Sequence, residues 1–281
     1  MESPVVTIRN AAASAKITVH KLRGNISVLE GSGGNITVLT GGDGKLLVDA
    51  GISRRQVEEA LESLSDDPIK HLINSHWHFD HTDGNEWLHS IGAEITGHEN
   101  TRKHLSVSTR VEDWNFTFPP APAAALPTNV IATDATLHLN ETTLTLKWYG
   151  SSHTDSDISV KFGEANVISV ADTFWNGEYP FIDYGTGGSL DGAILAAEAN
   201  VANTDDETIV IPGHGPIGDR SQLIQFRDML IAIREKVSDQ KKQGKSLDEA
   251  VAAKPTADYD TKWGGFVIDG SFFTRLVYVG V

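Results

Sequence analysis

The stretch "INSHWHFDHTDGN", residues 73–85, limits this chain more than any other. It places four metal-capable side chains, His76, His78, Asp80 and His81, within six positions, directly after the apolar run "IKHLIN". Residues two apart point to nearly opposite sides of a helix, whereas in an extended loop they face the same side. The spacing of His76 and His78 therefore predicts a loop site at the carboxyl end of a strand. The chain contains no cysteine, so a thiolate zinc site and a disulfide framework are both excluded. Any metal must be held by His, Asp or Glu.

Three further candidates occupy the same kind of place, just past an apolar strand. They are His153 in "YGSSHTDSD", Asp172 in "VISVADTF" and His214 in "IVIPGHGP". Loops that follow several strands meet at one edge of a sheet, so ligands distant in sequence can be pooled there. The set His76, His78 and His153 leaves a zinc ion one open tetrahedral position for water, a catalytic arrangement. Asp80, His81 and His214 suit a second ion, with Asp172 placed to bridge the two.

The rest of the chain reads as alternating α/β structure. Residues 17–51 give short β-branched runs between glycine-rich turns, an antiparallel meander. Ser53 heads a helix whose Val57, Ala60, Leu61 and Leu64 share a face, and Pro68 marks its exit. A short helix around residues 85–90, the strand "AEITG" and the helix "ENTRKHL" follow the histidine cluster. Residues 106–129 lack either period and are rich in Pro, Trp and Phe, which predicts an insertion or mobile flap. A second β-rich half follows: "TLHLNETTLTLKWYG", "DISVKF" and "NVISVAD". Helix "GGSLDGAILAAEANVA", strand "ETIVIPGHG" and a C-terminal helical tail from about residue 219 complete the chain. No linker and no repeat divides the chain, so residues 1–281 are expected to form a single domain.

With 281 residues and 40% hydrophobic content, the chain has the composition of a soluble globular protein with a sizeable core. The net charge of −15 opposes binding to nucleic acid or an anionic membrane, so a small-molecule substrate is the expected partner. No apolar run approaches the ~20 residues that span a bilayer. The amino terminus lacks a signal-peptide pattern. A cytoplasmic protein and a mature periplasmic form whose signal had been removed would look the same, and the sequence leaves the oligomeric state open.

"HWHFDH", a later lone His, an Asp after a strand and "PGHG" together resemble the metallo-β-lactamase superfamily, from "GGNITVL" and "LLVDAG" to His214. The resemblance implies an α/β fold, the αββα four-layer sandwich of two mixed β-sheets flanked by helices. It implies two zinc ions, with iron or manganese as the alternative. His76, His78 and His153 correspond to the first metal's ligands, Asp80, His81 and His214 to the second's, and Asp172 to the bridging carboxylate. Asp49 in "LLVDAG" corresponds to an aspartate that supports the histidine loop. The implied reaction is hydrolysis by a metal-bridging hydroxide that attacks a carbonyl, with Asp80 as the catalytic residue fixing the hydroxide. Lactones, thioesters, esters and β-lactam amides are the candidate substrates.

Asp172 stands where cysteine-type β-lactamases place a thiolate, so β-lactam hydrolysis is expected to be weak or promiscuous. The segment after Asp172 is similar to a bacterial hydrolase group named only for its fold. Two other classes compete. A mononuclear iron persulfide dioxygenase would show iron and oxygen uptake. A metal-binding scaffold would show no turnover.

The remaining histidines, His20, His71, His89, His98, His104 and His138, lie outside any ligand pattern and are read as structural. Trp114, Phe116, Trp175 and Tyr184 are candidate walls of a substrate cleft, while Trp77 and Phe79 are expected beneath the metal loop. The glycine stretches "GSGGN" and "GGDG" are read as hairpin turns, since neither has the spacing of a phosphate-binding loop.

Overall fold

The computed structural model describes residues 3–281, which form two compact units. The first holds the chain up to Trp148 together with Ser156–Ala171, and the second holds Tyr149–Asp155 and Asp172–Val281.

The first unit opens with helix α1 (Pro4–Ala12), whose Ser3 cap accepts a hydrogen bond from the Val5 N–H. Strands β1 (Thr18–Lys21), β2 (Ile26–Glu30), β3 (Ile36–Leu39) and β4 (Lys45–Val48) form the expected antiparallel meander. Helix α2 (Arg54–Glu62) then crosses over to β5 (Ile69–Ile73), which pairs parallel to β4. A crossover of this kind needs a helix between parallel strands, and the switch of period at Ser53 supplies one. Val57, Ala60 and Leu61 are the buried face of α2 and join Leu29, Ile36, Val38, Leu47, Leu72 and Ile95 in one apolar cluster. Each fully buried aliphatic side chain of that cluster contributes roughly 1.5–3 kcal/mol. On the solvent side of α2, Arg54 and Arg55 pair with Glu58 and Glu59 one turn on.

After β5 come the single-turn helix α3 (Phe79–Thr82), α4 (Asn85–Ser90), β6 (Glu94–His98) and α5 (Glu99–Ser106). Residues 106–129 contain a hairpin of β7 (Thr109–Val111) and β8 (Phe116–Phe118) and a 3-10 turn at Ala123–Ala125. Its three-residue strands are too short to carry a readable period, although Val111, Phe118 and Ala125 are buried. Strand β9 (Asn129–Ile131) closes a seven-stranded mixed sheet of order β1-β2-β3-β4-β5-β6-β9.

A second sheet of five strands has the order β10-β11-β12-β13-β14. Strands β10 (Ala135–Leu139), β11 (Thr142–Trp148), β12 (Ile158–Phe162) and β13 (Val167–Trp175) pair antiparallel in succession. The two sheets and their flanking helices are the α/β architecture that the sequence implies.

Within β13 the backbone of Ala171, the last residue of the first unit, is left-handed with φ of 44°, and the main part of the second unit follows it. That part comprises Asp172–Trp175, helix α6 (Leu190–Ala202), strand β14 (Ile209–His214) and the helices α7 (Arg220–Lys242), α8 (Leu247–Ala252), α9 (Asp260–Trp263) and α10 (Gly270–Gly280). Leu223, Phe226, Leu230, Ile233 and Val237 recur every three or four residues and form the buried stripe of α7. Phe226 meets Phe174 and Trp263, while the Tyr179 ring stacks on Phe273 at 4.7 Å. Among the described residues, no helix is long and apolar enough to cross a membrane.

Candidate metal centre

In the first unit the histidine loop leaves β5 at Ile73 and is fastened before it reaches its first ligand. The Asn74 and Asn85 side chains exchange two hydrogen bonds of 2.9 Å, and Asn85 also donates to the Ala125 carbonyl. The Ser75 carbonyl accepts from the Ile158 N–H at 2.8 Å. These buried amides hold the loop by polar groups that are themselves satisfied, the condition under which burial of such groups is tolerated.

His76 and His78 lie in the loop, with ring centroids 4.8 Å apart, and ligand nitrogens of the two lie within 4.8 Å of each other. Asp80 and His81 instead sit on the one-turn helix α3, with His78 as its N-cap residue. The loop expected from the spacing thus covers only the first two ligands. Asp80 Oδ2 and His81 Nε2 are 3.5 Å apart.

Asp49 organises this arrangement from the end of β4, where its own φ is 68°. Its Oδ1 accepts from the Ser75 N–H at 2.7 Å, and its Oδ2 accepts from Ser75 Oγ at 2.7 Å and from His81 Nδ1 at 2.8 Å. Because Ser75 Oγ donates to Asp49, it can accept from His76 Nδ1, 3.0 Å away. Both imidazoles are thereby fixed as the tautomer that presents Nε2 to a ligand, the arrangement that accompanies metal-binding histidines.

The glycine stretch before β3 has a second use that its sequence does not disclose. A Cβ on Gly34 would lie 2.2 Å from the His81 ring, and one on Gly33 would lie 2.6 Å from the Asp80 carbonyl. The Gly34 N–H also donates to that carbonyl. The turn therefore serves as the floor under α3.

Trp77 and Phe79, which alternate with the ligands, are buried as expected, each within 6 Å of the Phe118 ring. The hairpin tip brings Trp114 to 5.0 Å from the His78 ring, so Trp114 borders a candidate ligand. Phe116 lies half-buried beside Phe118 and under the Arg9 guanidinium. His98 and His104 are structural neighbours here: His98 caps α5 and stacks on Trp148, while His104 packs on Trp77.

In the second unit a single carboxylate oxygen collects two histidines. Asp172 Oδ2 is 3.3 Å from His153 Nε2 and 3.5 Å from His214 Nε2. His153 Nδ1 donates to the Phe181 carbonyl at 2.7 Å, which again assigns Nε2 to the ligand side. His214 ends β14, and its carbonyl accepts from the Asn176 N–H at 2.9 Å. Gly215 follows with φ of 82°, and a Cβ there would lie 2.1 Å from the Asn176 carbonyl, so the tight turn in "PGHG" requires glycine. Asp172 is inside β13 rather than past its end, because the strand continues to Trp175.

Trp175 packs at 4.3 Å from the His214 ring. Tyr184 lies in a 3-10 turn, Tyr184–Thr186, and its hydroxyl donates to the Leu276 carbonyl of α10. Glu178, which the sequence does not single out, has its carboxyl pushed up by burial, with His214 opposing and Asp172 adding to the shift.

The donor chemistry fits a borderline divalent cation in both units. Imidazole nitrogens and carboxylate oxygens are the ligands that zinc, iron and manganese share, and the histidines and Asp172 are almost wholly buried save His214. A buried carboxylate packed against imidazoles, as Asp172 is, calls for positive charge.

The model of the metallo-β-lactamase superfamily matches residues 29–214, more than half of the chain. The chain belongs to the metallo-β-lactamase superfamily. Its His- and Asp-rich ligand set is of the superfamily's dinuclear type. Among solved structures, the inverting sec-alkylsulfatase Pisa1 from Pseudomonas sp. superposes with a TM-score of 0.69 and 16% identity. That alignment takes in 94% of this chain and 50% of the sulfatase, so the chain spans half the length of that relative. A metallo-β-lactamase from Pontibacter korlensis gives 0.62 with 19% identity, over 77% of this chain and 99% of the other. The DIM-1 metallo-β-lactamase gives 0.60 with 19% identity, over 77% and 97%. At such identities the likeness is one of fold.

Proposed function

We propose that this metallo-β-lactamase superfamily chain is a two-zinc hydrolase that cleaves a carbonyl bond in a lactone, thioester or ester, with β-lactam amides as weak substrates. The carrying observation is Asp172 Oδ2, within 3.5 Å of the Nε2 atoms of His153 and His214. A carboxylate so placed is suited to sharing two ions. In this reading His76, His78 and His153 would hold the first ion and Asp80, His81 and His214 the second, with Asp172 available to both.

Bound zinc would lower the pKa of water to roughly 7 and would polarise a carbonyl oxygen. The chain's own residues do the rest. Asp80 orients the attacking water by accepting its proton in a hydrogen bond. Asp49 and the Phe181 carbonyl keep the imidazole tautomers in place. Trp114 beside His78 in the first unit and Trp175 beside His214 in the second present apolar surface to their neighbouring ligands.

The test is a metal assay by mass spectrometry joined to a turnover panel of lactone, thioester, ester and chromogenic cephalosporin. A secondary alkyl sulfate belongs in the panel because a sulfatase shares the fold. The expected result is two zinc ions per chain, turnover of a carbonyl substrate, and loss of that turnover in His78→Ala. One iron per chain with oxygen uptake on a persulfide would replace this reading, and full metallation without turnover would leave a metal-binding scaffold. Retention of both ions and of full turnover in Asp80→Asn would overturn the role given to Asp80.

A further inference from the structure

The segment "WGGFVIDG", residues 263–270, is anchored at both ends. Trp263 is buried against Phe226 and its carbonyl accepts from the Tyr179 N–H at 2.8 Å. At the other end Ile268 is buried and the Asp269 carboxylate caps α10 by accepting from the Phe272 N–H. Between these anchors two adjacent apolar side chains face solvent, Phe266 at 47% and Val267 at 44% exposure. Single apolar residues on a surface need no explanation. These two are consecutive, and Phe266 lies beside a candidate ligand. The Phe266 ring is 6.2 Å from the His214 ring and 6.4 Å from Trp175, which itself packs on His214.

Gly264 and Gly265 precede the pair, and a Cβ at Gly265 would meet nothing within 4 Å. Space does not demand glycine at 265, so its contribution is backbone freedom between two fixed points. An exposed apolar pair next to a polar centre has the composition of a small-molecule site: an apolar wall with a few placed polar groups.

We propose that Phe266, with Val267 and Trp175, forms a specificity wall that takes an uncharged alkyl or aryl chain attached to the substrate's reacting group. This deepens the reading of His214 as a metal ligand and rests on it. The wall favours substrates whose apolar chain reaches past the centre and discriminates against those with a short chain.

The experiment is a binding series read without turnover. Zinc-loaded wild type, Phe266→Ala and Phe266→Leu are titrated with straight-chain carboxylates from acetate to decanoate, followed by calorimetry and tryptophan fluorescence. Wild type is expected to tighten about two- to fourfold per added methylene over the middle of the series, as partial burial of each methylene predicts. Phe266→Ala is expected to flatten that dependence, and Phe266→Leu to restore most of it. Because Phe266 is exposed, an unchanged melting temperature in both variants shows that folding is not the cause. A wild type with no chain-length preference, or a Phe266→Ala variant with the wild-type slope, overturns the proposal. Chain-length-dependent binding by a protein that turns over nothing in the hydrolysis panel would overturn the hydrolase reading and leave the wall standing.

Discussion

At the residue scale, the side chains that hold the ligands matter as much as the ligands. Asp49 satisfies the Ser75 backbone, the Ser75 hydroxyl and His81 with one carboxylate. Asp49→Ala leaves those donors without their acceptor, and removal of such a supporting group typically costs 10–100-fold in metal affinity. Competition with a chromogenic chelator checks this, and wild-type affinity in Asp49→Ala would contradict it. Gly34 gives a sharper contrast, because its missing side chain leaves room for the His81 ring. Gly34→Ala should reduce metal occupancy and lower the melting temperature. Gly42→Ala, in a turn with nothing within 4 Å of the added carbon, should do neither.

At the element scale, two short pieces set the surroundings of the centre. Helix α1 is tied down by Arg9, which donates to both carboxylate oxygens of Asp83 at 2.7 and 2.9 Å. Its guanidinium also lies 5.0 Å from the centre of the Phe79 ring and 5.6 Å from that of Phe116. Ser3 Oγ donates to the Trp114 carbonyl at 2.7 Å, so the hairpin tip beside His78 is bound to this helix as well. Burial pushes the Asp83 carboxyl up, and Arg9 opposes that shift. Arg9→Ala should release α1 and the β7–β8 hairpin. Hydrogen exchange would show this as faster exchange in both, with α7 as the unaffected reference.

Helix α7 carries a capping box, in which Asp219 accepts from the Gln222 N–H while Gln222 returns the bond to the Asp219 N–H. Ser221 Oγ also donates to Asp219, and this bond holds the carboxyl below its ordinary 3.8. A carboxyl whose folded value is depressed contributes stability that is present above the unfolded value and lost as pH falls through the folded one. Asp219→Ala should therefore cost about 1 kcal/mol at neutral pH. That difference should shrink as pH falls from 3.8 through the lower folded value, as urea denaturation at neutral and at acid pH would reveal.

At the scale of the whole molecule, bound metal is a stabilising ligand. Ions that bind the folded chain and not the unfolded one raise stability by mass action, about 4 kcal/mol at a thousandfold excess over the dissociation constant. Buried carboxylates such as Asp172 repel neighbouring negative groups once the cation is gone. Removal of metal by chelation should lower the melting temperature, and re-addition of zinc should restore it. Equal melting of the metal-free and zinc-loaded protein would count against metal binding in the fold. The net charge of −15 adds a general self-repulsion that moderate salt should relieve.

Local pattern is strong where a residue's role is set by its neighbours in the chain. The short β-branched runs of β1–β4, the face of α2 and the periodic stripe of α7 depend on local composition and period alone, and the structure has them where the sequence puts them. The ligand candidates were legible for a similar reason, since "HWHFDH" and "PGHG" combine residue types that few other roles explain. What sequence could not supply is whatever depends on contacts between distant segments. The hairpin at residues 109–118 is stabilised by packing on Trp77, Phe79 and Arg9, which no local period encodes. The continuation of β13 through a left-handed Ala171, the place of Gly34 beneath His81, the hydroxyl of Ser75 between Asp49 and His76 and the approach of Phe266 to His214 were all decided by tertiary structure. Periodicity records which face of an element is buried. Only the folded chain determines what that face meets, because close packing is a property of surfaces brought together from far apart in the sequence.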